Sequence, residues 1–141
     1  MIKEAVLELV KYSVDKLEYQ ANEEFIPTEN AEIEIKPKYK ISTFCNCDDK
    51  EIYKVSISCS ILDAADKGSP FGINVEVCGV FHVKKMDEVA QLINYNAVAI
   101  LLPYVRNAIT MLTTLAEQPP IFLPIIDVYS LREELAAEGI N

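Results

Sequence analysis

The chain has 141 residues, half of them hydrophobic, and a formal net charge of -9, which predicts one folded domain over residues 1–141 with a single core. This acidic charge argues against a nucleic-acid partner, because a phosphate backbone would be repelled. The apolar run at residues 97–102 is too short to cross a bilayer, and acidic residues interrupt the N-terminal segment where a signal peptide needs apolar ones. We therefore expect a cytoplasmic protein without membrane insertion.

The first twenty residues carry two competing patterns. Residues 5–10 have the apolar spacing of a helix, whereas Val10, Tyr12 and Val14 alternate with polar residues as they would in a strand. Both patterns are satisfied by a short helical lead that is followed by a strand over residues 9–20, and this is the arrangement that we predict.

Three later segments alternate apolar and polar residues with the period of two that is typical of a half-buried strand. They cover residues 32–43, 53–62 and 71–83. The side chains predicted to face inward are Ile33, Ile35, Tyr39, Ile41, Tyr53, Val55, Ile57, Cys59, Ile61, Phe71, Ile73, Val75, Val77, Phe81 and Val83. Pro37 cannot donate a hydrogen bond, which predicts an edge strand or a bulge there, and Gly79 predicts a bulge or a close contact. The short, turn-rich connections favour antiparallel pairing.

Helical patterns follow the strands. Asp87 is predicted to cap a short helix that reaches residue 93, and Pro103 must either begin the main helix or kink it. The apolar stripe of the main helix contains Ala108, Ile109, Met111, Leu112, Leu115 and Ala116. A stripe of this size must pack on the sheet or on another subunit. A last amphipathic helix is predicted over residues 129–137, with its two leucines on one side.

Residues 118–126 combine prolines with large apolar side chains. Pro119, Pro120 and Pro124 prevent the helix from continuing. The apolar residues among them are Ile121, Phe122, Leu123, Ile125 and Ile126. A solvated connection does not normally carry so many. These side chains must be covered by the chain's own core, with Phe122 and Ile125 plugging the open end of the sheet, by a partner subunit or by a ligand.

The four cysteines do not suggest a disulfide-rich domain or a paired CxxC metal site. Residues 45–49 bring the thiols of Cys45 and Cys47 close to two carboxylates, yet no second Cys or His pair stands at a suitable ligand spacing. We therefore predict no bound metal and rank a metal-dependent activity last among the alternatives. Cys59 and Cys78 lie within strand patterns and are expected to be reduced, packed side chains.

The order of these elements resembles the SecB protein-export chaperones. The residues that carry the resemblance are LLPYVR at 101–106, AIT at 108–110, the proline-containing apolar segment after them, and Gly-Val-Phe at 79–81. The family has a signature close to LFPYAR in the helix, a loop that starts near Phe-Pro, and Gly-Ile-Phe in a strand. The resemblance implies an α+β fold, in which a four-stranded antiparallel sheet precedes a short, a long and a C-terminal helix. It also implies a homotetramer built as a dimer of dimers.

The same resemblance implies a function that needs no ATP, no cofactor and no catalytic group. SecB chaperones bind unfolded preproteins in apolar grooves. The client-binding residues carried over to this sequence lie in the segment 118–126 and in a crossover at about 21–31, and they are Phe25, Ile26, Pro27, Ile121, Phe122, Leu123, Ile125 and Ile126. The subunit interface is expected to contain Tyr104, Ala108, Ile109, Leu112 and Leu115. An enzyme is not expected.

The resemblance is weaker for a downstream partner. Family members dock the SecA motor through acidic residues on the first and last strands. Asp15 corresponds to one of these acids, whereas Gln20 and Asn74 stand at two others, and Glu76 is the residue that could compensate. Some SecB-like proteins instead serve an antitoxin of a toxin-antitoxin system, and the missing acids agree with that role. A protein-interaction module that is not a chaperone is a further alternative.

Overall fold

The structure is a computed structural model that describes residues 1–27 and 32–139. Its strands are β1 (Leu7–Ala21), β2 (Lys38–Cys45), β3 (Ile52–Ile61) and β4 (Phe71–Val83). They form one antiparallel sheet in the order β1-β4-β3-β2, so β1 and β2 are the edge strands. The helices follow the sheet in the chain, which confirms the predicted α+β arrangement.

A continuous helix covers Met86–Leu115. It consists of a 3-10 turn (Met86–Glu88), α1 (Val89–Gln91), a π-helical turn (Leu92–Asn96) and α2 (Ala97–Leu115). The C-terminal helix α3 (Val128–Ala137) begins at Asp127, whose carboxylate accepts a hydrogen bond from the Tyr129 N–H at 3.2 Å. Two leucines of α3 are buried, as their spacing predicted.

The core lies between one face of the sheet and α2. Fully buried side chains alternate along β3 and β4, and they are Val55, Ile57, Cys59, Ile61, Ile73, Val75, Val77, Phe81 and Val83. Leu101 of α2 reaches so close to β4 that a Cβ at Gly79 would lie 2.9 Å from its Cδ2 and 2.7 Å from the Phe81 ring. Gly79 therefore permits the close contact between helix and sheet that was one of its two predicted roles.

Two strand predictions are wrong at their N-terminal ends. Residues before Leu7 are not helical, because so short a segment cannot stabilise a helix without packing against the core. The second strand begins at Lys38 rather than at residue 32. Lys38 pairs with Ser60 and β3 ends one residue later, so residues before Pro37 have no partner strand, and Pro37 has no N–H to donate.

The helical start was also predicted wrongly. Asp87 lies inside the 3-10 turn and makes no capping hydrogen bond. The short and long helices are continuous, because the π-helical turn Leu92–Asn96 joins them. The main helix does not begin at Pro103, which lies within α2.

By length and composition, the helix Met86–Leu115 could also cross a membrane, with a mean hydropathy of 1.4 over an 18-residue window. The core helix of a soluble protein meets the same criteria. Here Leu101, Val105 and Ile109 are fully buried within the chain. Packing on the sheet therefore accounts for the apolar residues on the inner side of the helix.

Candidate functional site

An apolar groove of about 630 Å³ lies beside the proline-containing segment. Its lining comes from two irregular segments and from the connection between β3 and β4. The lining residues are Ile33, Ile35, Pro37, Leu62, Pro70, Phe71, Gln118, Pro119, Pro120, Ile121, Phe122, Leu123 and Pro124. Its volume falls in the range of ligand-binding clefts, and its apolar lining suits apolar side chains rather than a charged small molecule.

The chain enters this groove through a helix end that reverses its direction. Glu117 adopts the left-handed conformation with φ of 59°. The Gln118 N–H donates to the Thr113 carbonyl at 2.9 Å, and the Glu117 N–H donates to the Thr114 carbonyl at 3.1 Å. These two bonds form a Schellman motif, which ends α2 and directs the following prolines across the helix.

Two threonines of α2 hold the segment after this turn. The Ile121 N–H donates to Thr113 Oγ1 at 3.0 Å, and Thr110 Oγ1 lies 2.7 Å from the Ile121 carbonyl oxygen, to which it donates. Thr113 is fully buried. We call Thr110 and Thr113 the threonine clamp, because together they bond both backbone polar groups of Ile121. Sequence reasoning missed this role, although threonines three residues apart lie on one side of a helix.

The apolar residues of the segment divide into anchors and exposed side chains. Leu123 is 7 % exposed and belongs to the core, so it is not a surface for a client. Ile121 and Ile126 are half-buried and pack against the core. Phe122 is 76 % exposed and Ile125 is 85 % exposed. The alternative that these last two side chains plug the open end of the sheet does not agree with this exposure, and Leu123 is the residue of the segment that is buried in the core.

The predicted crossover residues do not line the groove. Phe25 is half-buried, while Ile26 and Pro27 are exposed. Residues 28–31 of the same predicted crossover lie outside the described residues. The turn that precedes Phe25 is anchored by Asn22, whose side-chain amide donates to the Ser69 carbonyl at 2.8 Å.

Sequence reasoning missed the contribution of residues 33–37 to the groove. Ile33 and Ile35 were assigned to the inner face of β2, yet they precede the strand and lie beside the prolines instead. Their alternation was visible in the sequence. What the sequence did not show was the end of the partner strand β3 at Ile61.

Ile125 and Ile126 line a second, smaller cleft of about 190 Å³. Tyr39 of β2 and Arg106 of α2 also line it. Burial raises the pKa of Tyr39 to about 12, against a smaller opposing effect of the Arg106 charge. The neighbouring Cys59 thiol is deeply buried, which raises its pKa to about 12 despite a hydrogen bond with Tyr39. Both groups are therefore protonated at neutral pH.

The predicted interface residues are distributed over two sides of α2. Ile109 is fully buried against the sheet, so the structure assigns it to the core of the chain and not to a subunit contact. Ala108 and Leu112 are also buried. Tyr104 and Leu115 are exposed, and Tyr104 stacks on Tyr12 of β1 with ring centroids 4.2 Å apart. The exposed apolar side chains of α2 are Ile100, Tyr104, Met111 and Leu115.

The two predicted docking acids do not form an acidic patch. Asp15 lies at a bulge in β1, where its carboxylate accepts a hydrogen bond from the Ser13 hydroxyl at 2.9 Å. Glu76 lies directly opposite Lys16 of β1, and Lys16 is itself 3.6 Å from Glu18. This face of the sheet therefore has mixed charge.

Cys45 and Cys47 are exposed free thiols at the end of β2 and just beyond it. Within residues 1–27 and 32–139, no three His, Cys, Asp or Glu side chains are grouped as a metal site. The site that stands out is thus the apolar groove, with the second cleft beside it.

A sequence model of the family described as "Preprotein translocase subunit SecB" matches residues 17–138. The chain belongs to the SecB family. A protein-export protein SecB of Anaplasma phagocytophilum is 32 % identical over 95 residues, which are 64 % of this chain and 60 % of that protein. The uncharacterized protein MJ0357 of Methanocaldococcus jannaschii is 47 % identical over 62 residues, which are 43 % of this chain and 40 % of that protein. The matches thus span less than two thirds of these relatives' lengths.

A solved structure shows the same SecB-like fold. It is the SecB-like chaperone Rv1957 of Mycobacterium tuberculosis in complex with a ChAD peptide from the Rv1956 HigA1 antitoxin. The TM-score is 0.67 at 14 % sequence identity, over 85 % of this chain and 90 % of that one. The sheet followed by helices is therefore the architecture of a SecB-like chaperone.

Proposed function

We propose that this SecB-family protein is an ATP-independent chaperone that holds non-native polypeptides in the apolar groove. The observation that carries the proposal is the open apolar lining of the groove, with Phe122 largely exposed within it. Prolines and the threonine clamp hold the segment in place without a helix or a strand, so its apolar side chains stay available to a ligand.

Such a groove binds through apolar contact and needs no bound nucleotide. Burying one large apolar side chain stabilises a complex by roughly 1.5 to 3 kcal/mol, so a few client side chains provide a weak, reversible interaction. Binding lowers the free concentration of the aggregating species by mass action. Apolar contacts depend little on the exact sequence of the client, and this low specificity suits a chaperone with many clients.

The assembly we propose is a homotetramer built as a dimer of dimers. Exposed apolar side chains occupy α2 and the edge strand β1, and they are Ile100, Tyr104, Met111, Leu115, Val10, Val14 and Leu17. A monomer would leave this apolar surface in water. Several weak grooves on one tetramer would increase the overall affinity for one long client. Analytical ultracentrifugation tests the assembly, and Leu115→Asp is expected to shift it toward smaller species.

The preferred clients are unfolded preproteins in the cytoplasm, and the alternative is an antitoxin. The alternative is supported by the fold shared with a SecB-like chaperone whose structure holds an antitoxin peptide. Binding of many unrelated unfolded proteins supports the first role. Tight binding of one antitoxin alone supports the second. Stable binding of a folded partner, without affinity for unfolded proteins, would instead indicate an interaction module.

Docking to the SecA motor through Asp15 and Glu76 stays a prediction, and the mixed charge around Glu76 does not favour it. A pull-down with purified SecA tests it directly. Loss of SecA from the pull-down in an Asp15→Asn, Glu76→Gln variant would support docking at these acids. Absence of SecA with the unmodified protein would contradict it.

The experiment for the groove compares two exposed phenylalanines. Phe122→Asp places a charge in the groove, whereas Phe44→Asp makes the same change on β2, opposite Lys54 and away from the groove. We expect Phe122→Asp to weaken binding of an unfolded client by about tenfold or more. The Phe44→Asp variant should bind as the unmodified protein does. Equal binding by all three proteins would contradict the groove assignment.

A further inference from the structure

Leu62 adopts the left-handed conformation directly after β3, with φ of 57°. Among the described residues, Glu117 is the other residue besides glycine with a positive φ. A Cβ strains this conformation, and bulky apolar residues rarely adopt it, whereas glycine and asparagine do so readily. Strained residues of this kind are concentrated at ligand-binding sites. The turn alone therefore does not explain a leucine at position 62.

The connection between β3 and β4 fixes this conformation. The Asp63 carboxylate accepts a hydrogen bond from the Ala65 N–H at 2.9 Å, which closes a turn immediately after Leu62. The same turn lies against β4, because a Cβ at Gly72 would be only 2.8 Å from the Ala64 nitrogen. The backbone at Leu62 thus has little freedom to relax, and its side chain is held in one direction.

Leu62 lies where the apolar groove meets a second cleft of about 680 Å³, which we call the polar cleft. The charged residues that line the polar cleft are Glu18, Glu34, Lys36, Lys38, Asp63 and Asp66. Alternate residues of the chain at positions 33–38 face the two clefts, with Ile33, Ile35 and Pro37 on the side of the apolar groove. Of the residues that the structure describes, Leu62 alone lines both clefts.

Leu62 is also half-buried, since part of its side chain packs against the core while the rest lines the clefts. On the groove side, its neighbours in the lining include Pro70 and Phe71. On the other side, Asp63 and Ser69 replace these apolar residues. An apolar side chain of a ligand would therefore have an apolar partner at Leu62 and a polar surface beyond it.

We propose that Leu62 is a specificity-determining residue of the groove, which contacts an apolar side chain of an extended client and ends the apolar part of the site. The next residues of the client then lie in the polar cleft. An apolar side chain placed there would desolvate charged groups without bonding them, which is unfavourable. The site thus selects an apolar run that is followed by polar residues. This inference rests on the proposed chaperone function.

The test uses a fluorescent peptide with blocked ends, in which five leucines are followed by five glutamines. Fluorescence anisotropy measures its affinity for the full chain. We expect Leu62→Asn to weaken binding about fivefold, because asparagine accepts the left-handed conformation but removes an apolar contact. Leu62→Met keeps the apolar contact and should bind as the unmodified protein does. Glu117→Asn makes the same change of residue type at an exposed left-handed position outside the groove lining, and it should also bind normally.

Thermal unfolding separates this role from a purely structural one. The melting temperature of Leu62→Asn should change by less than about 4 °C, because relief of the strained conformation offsets the lost packing. A lower melting temperature with unchanged affinity would overturn the proposal. If the variant does not fold, the methyl NMR signals of Leu62 in the unmodified protein decide. A shift of these signals on addition of the peptide supports the contact, and unchanged signals with peptide bound overturn it.

Phe122→Asp distinguishes a failure of this inference from a failure of the proposed function. Weaker peptide binding by Phe122→Asp, with normal binding by Leu62→Asn, would overturn the role of Leu62 and leave the groove assignment in place. Absence of peptide binding by the unmodified protein would contradict the proposed function, and the inference about Leu62 would fail with it.

Discussion

The sheet-facing side of α2, which carries Leu101, Val105 and Ile109, and the segment at residues 118–126 are similarly apolar, yet only the three helix residues are all fully buried. Ile109 of the helix is completely buried, whereas Ile125 of the segment is 85 % exposed. The helix satisfies its own backbone hydrogen bonds and can lie flat on the sheet. The segment contains three prolines without an N–H, and the clamp bonds the backbone of Ile121 alone. Ile109 and Ile125 have the same hydropathy, so their different exposure reflects the structure of the backbone that carries them.

The largest difference in stability is expected when an isoleucine is replaced by alanine in each of the two regions. Ile109→Ala should lower the free energy of unfolding by about 2 to 5 kcal/mol, because it leaves a cavity between α2 and the sheet. Ile125→Ala should change the same quantity by less than about 0.5 kcal/mol. Urea unfolding measures both. Similar losses of unfolding free energy in the two variants would show that the segment is as deeply packed as the helix. That result would contradict the difference in burial between the two regions.

A smaller loss of stability is expected when the threonine clamp is broken. Thr113→Val keeps the size of the side chain but leaves the Ile121 N–H without an acceptor, so we expect a loss of about 1 to 3 kcal/mol in unfolding free energy. Hydrogen exchange at the Ile121 amide should also accelerate. Thr114→Val is the matched control, because its exposed hydroxyl bonds only within the helix, to the Thr110 carbonyl. Slow exchange at Ile121 in the Thr113 variant would rule out the clamp.

The strands of the core could be predicted from the sequence, because their burial depends on local alternation. β4 has the predicted bounds Phe71–Val83, and β3 begins and ends one residue earlier than predicted. The groove could be predicted only in part. Phe122 was identified by its neighbouring prolines, but Ile33 was placed inside a strand. Its true position depends on where β3 ends, and this is a property of pairing that no local pattern shows.

The threonine clamp and Leu123 illustrate the same limit of local patterns. The segment's apolar residues are equivalent by hydropathy, and which of them turns inward depends on how the chain leaves α2. The left-handed turn at Glu117 sets that direction. A turn of this kind is usually marked by glycine, and here no glycine stands at the helix end to indicate it.

Raising the pH tests the burial of Tyr39 and Cys59, because Tyr39 lines the same cleft as Ile125 and Ile126 of the proline-containing segment. Tyr39 and Cys59 have folded pKa values of about 12, above their ordinary values of 10.0 and 9.0. The unfolded chain therefore releases these protons first, and their contribution to stability is complete below pH 9 and is lost as the pH rises toward 12. Melting temperatures should fall over this range. Tyr39→Phe should make the fall less steep, and an unchanged slope would contradict the burial of Tyr39.

The smallest expected effect is a gain in the free energy of unfolding. Glu117→Gly should raise the free energy of unfolding by about 0.5 to 1 kcal/mol, because glycine adopts the left-handed conformation without strain. Glu117→Ala should give no such gain, because alanine also carries a Cβ. Thermal unfolding of the two variants measures the difference. Equal stability of the glycine and alanine variants would contradict the left-handed conformation of residue 117.

Photo-crosslinking tests the central claim, that the proline-containing segment is open because it binds clients. A photoreactive phenylalanine analogue would replace Phe122 in one protein and Phe44 in another, and both would be irradiated with the same unfolded client. We predict crosslinked client at position 122, with little or none at position 44. Equal crosslinking at the two positions, or none at position 122 while the client remains bound, would contradict the account.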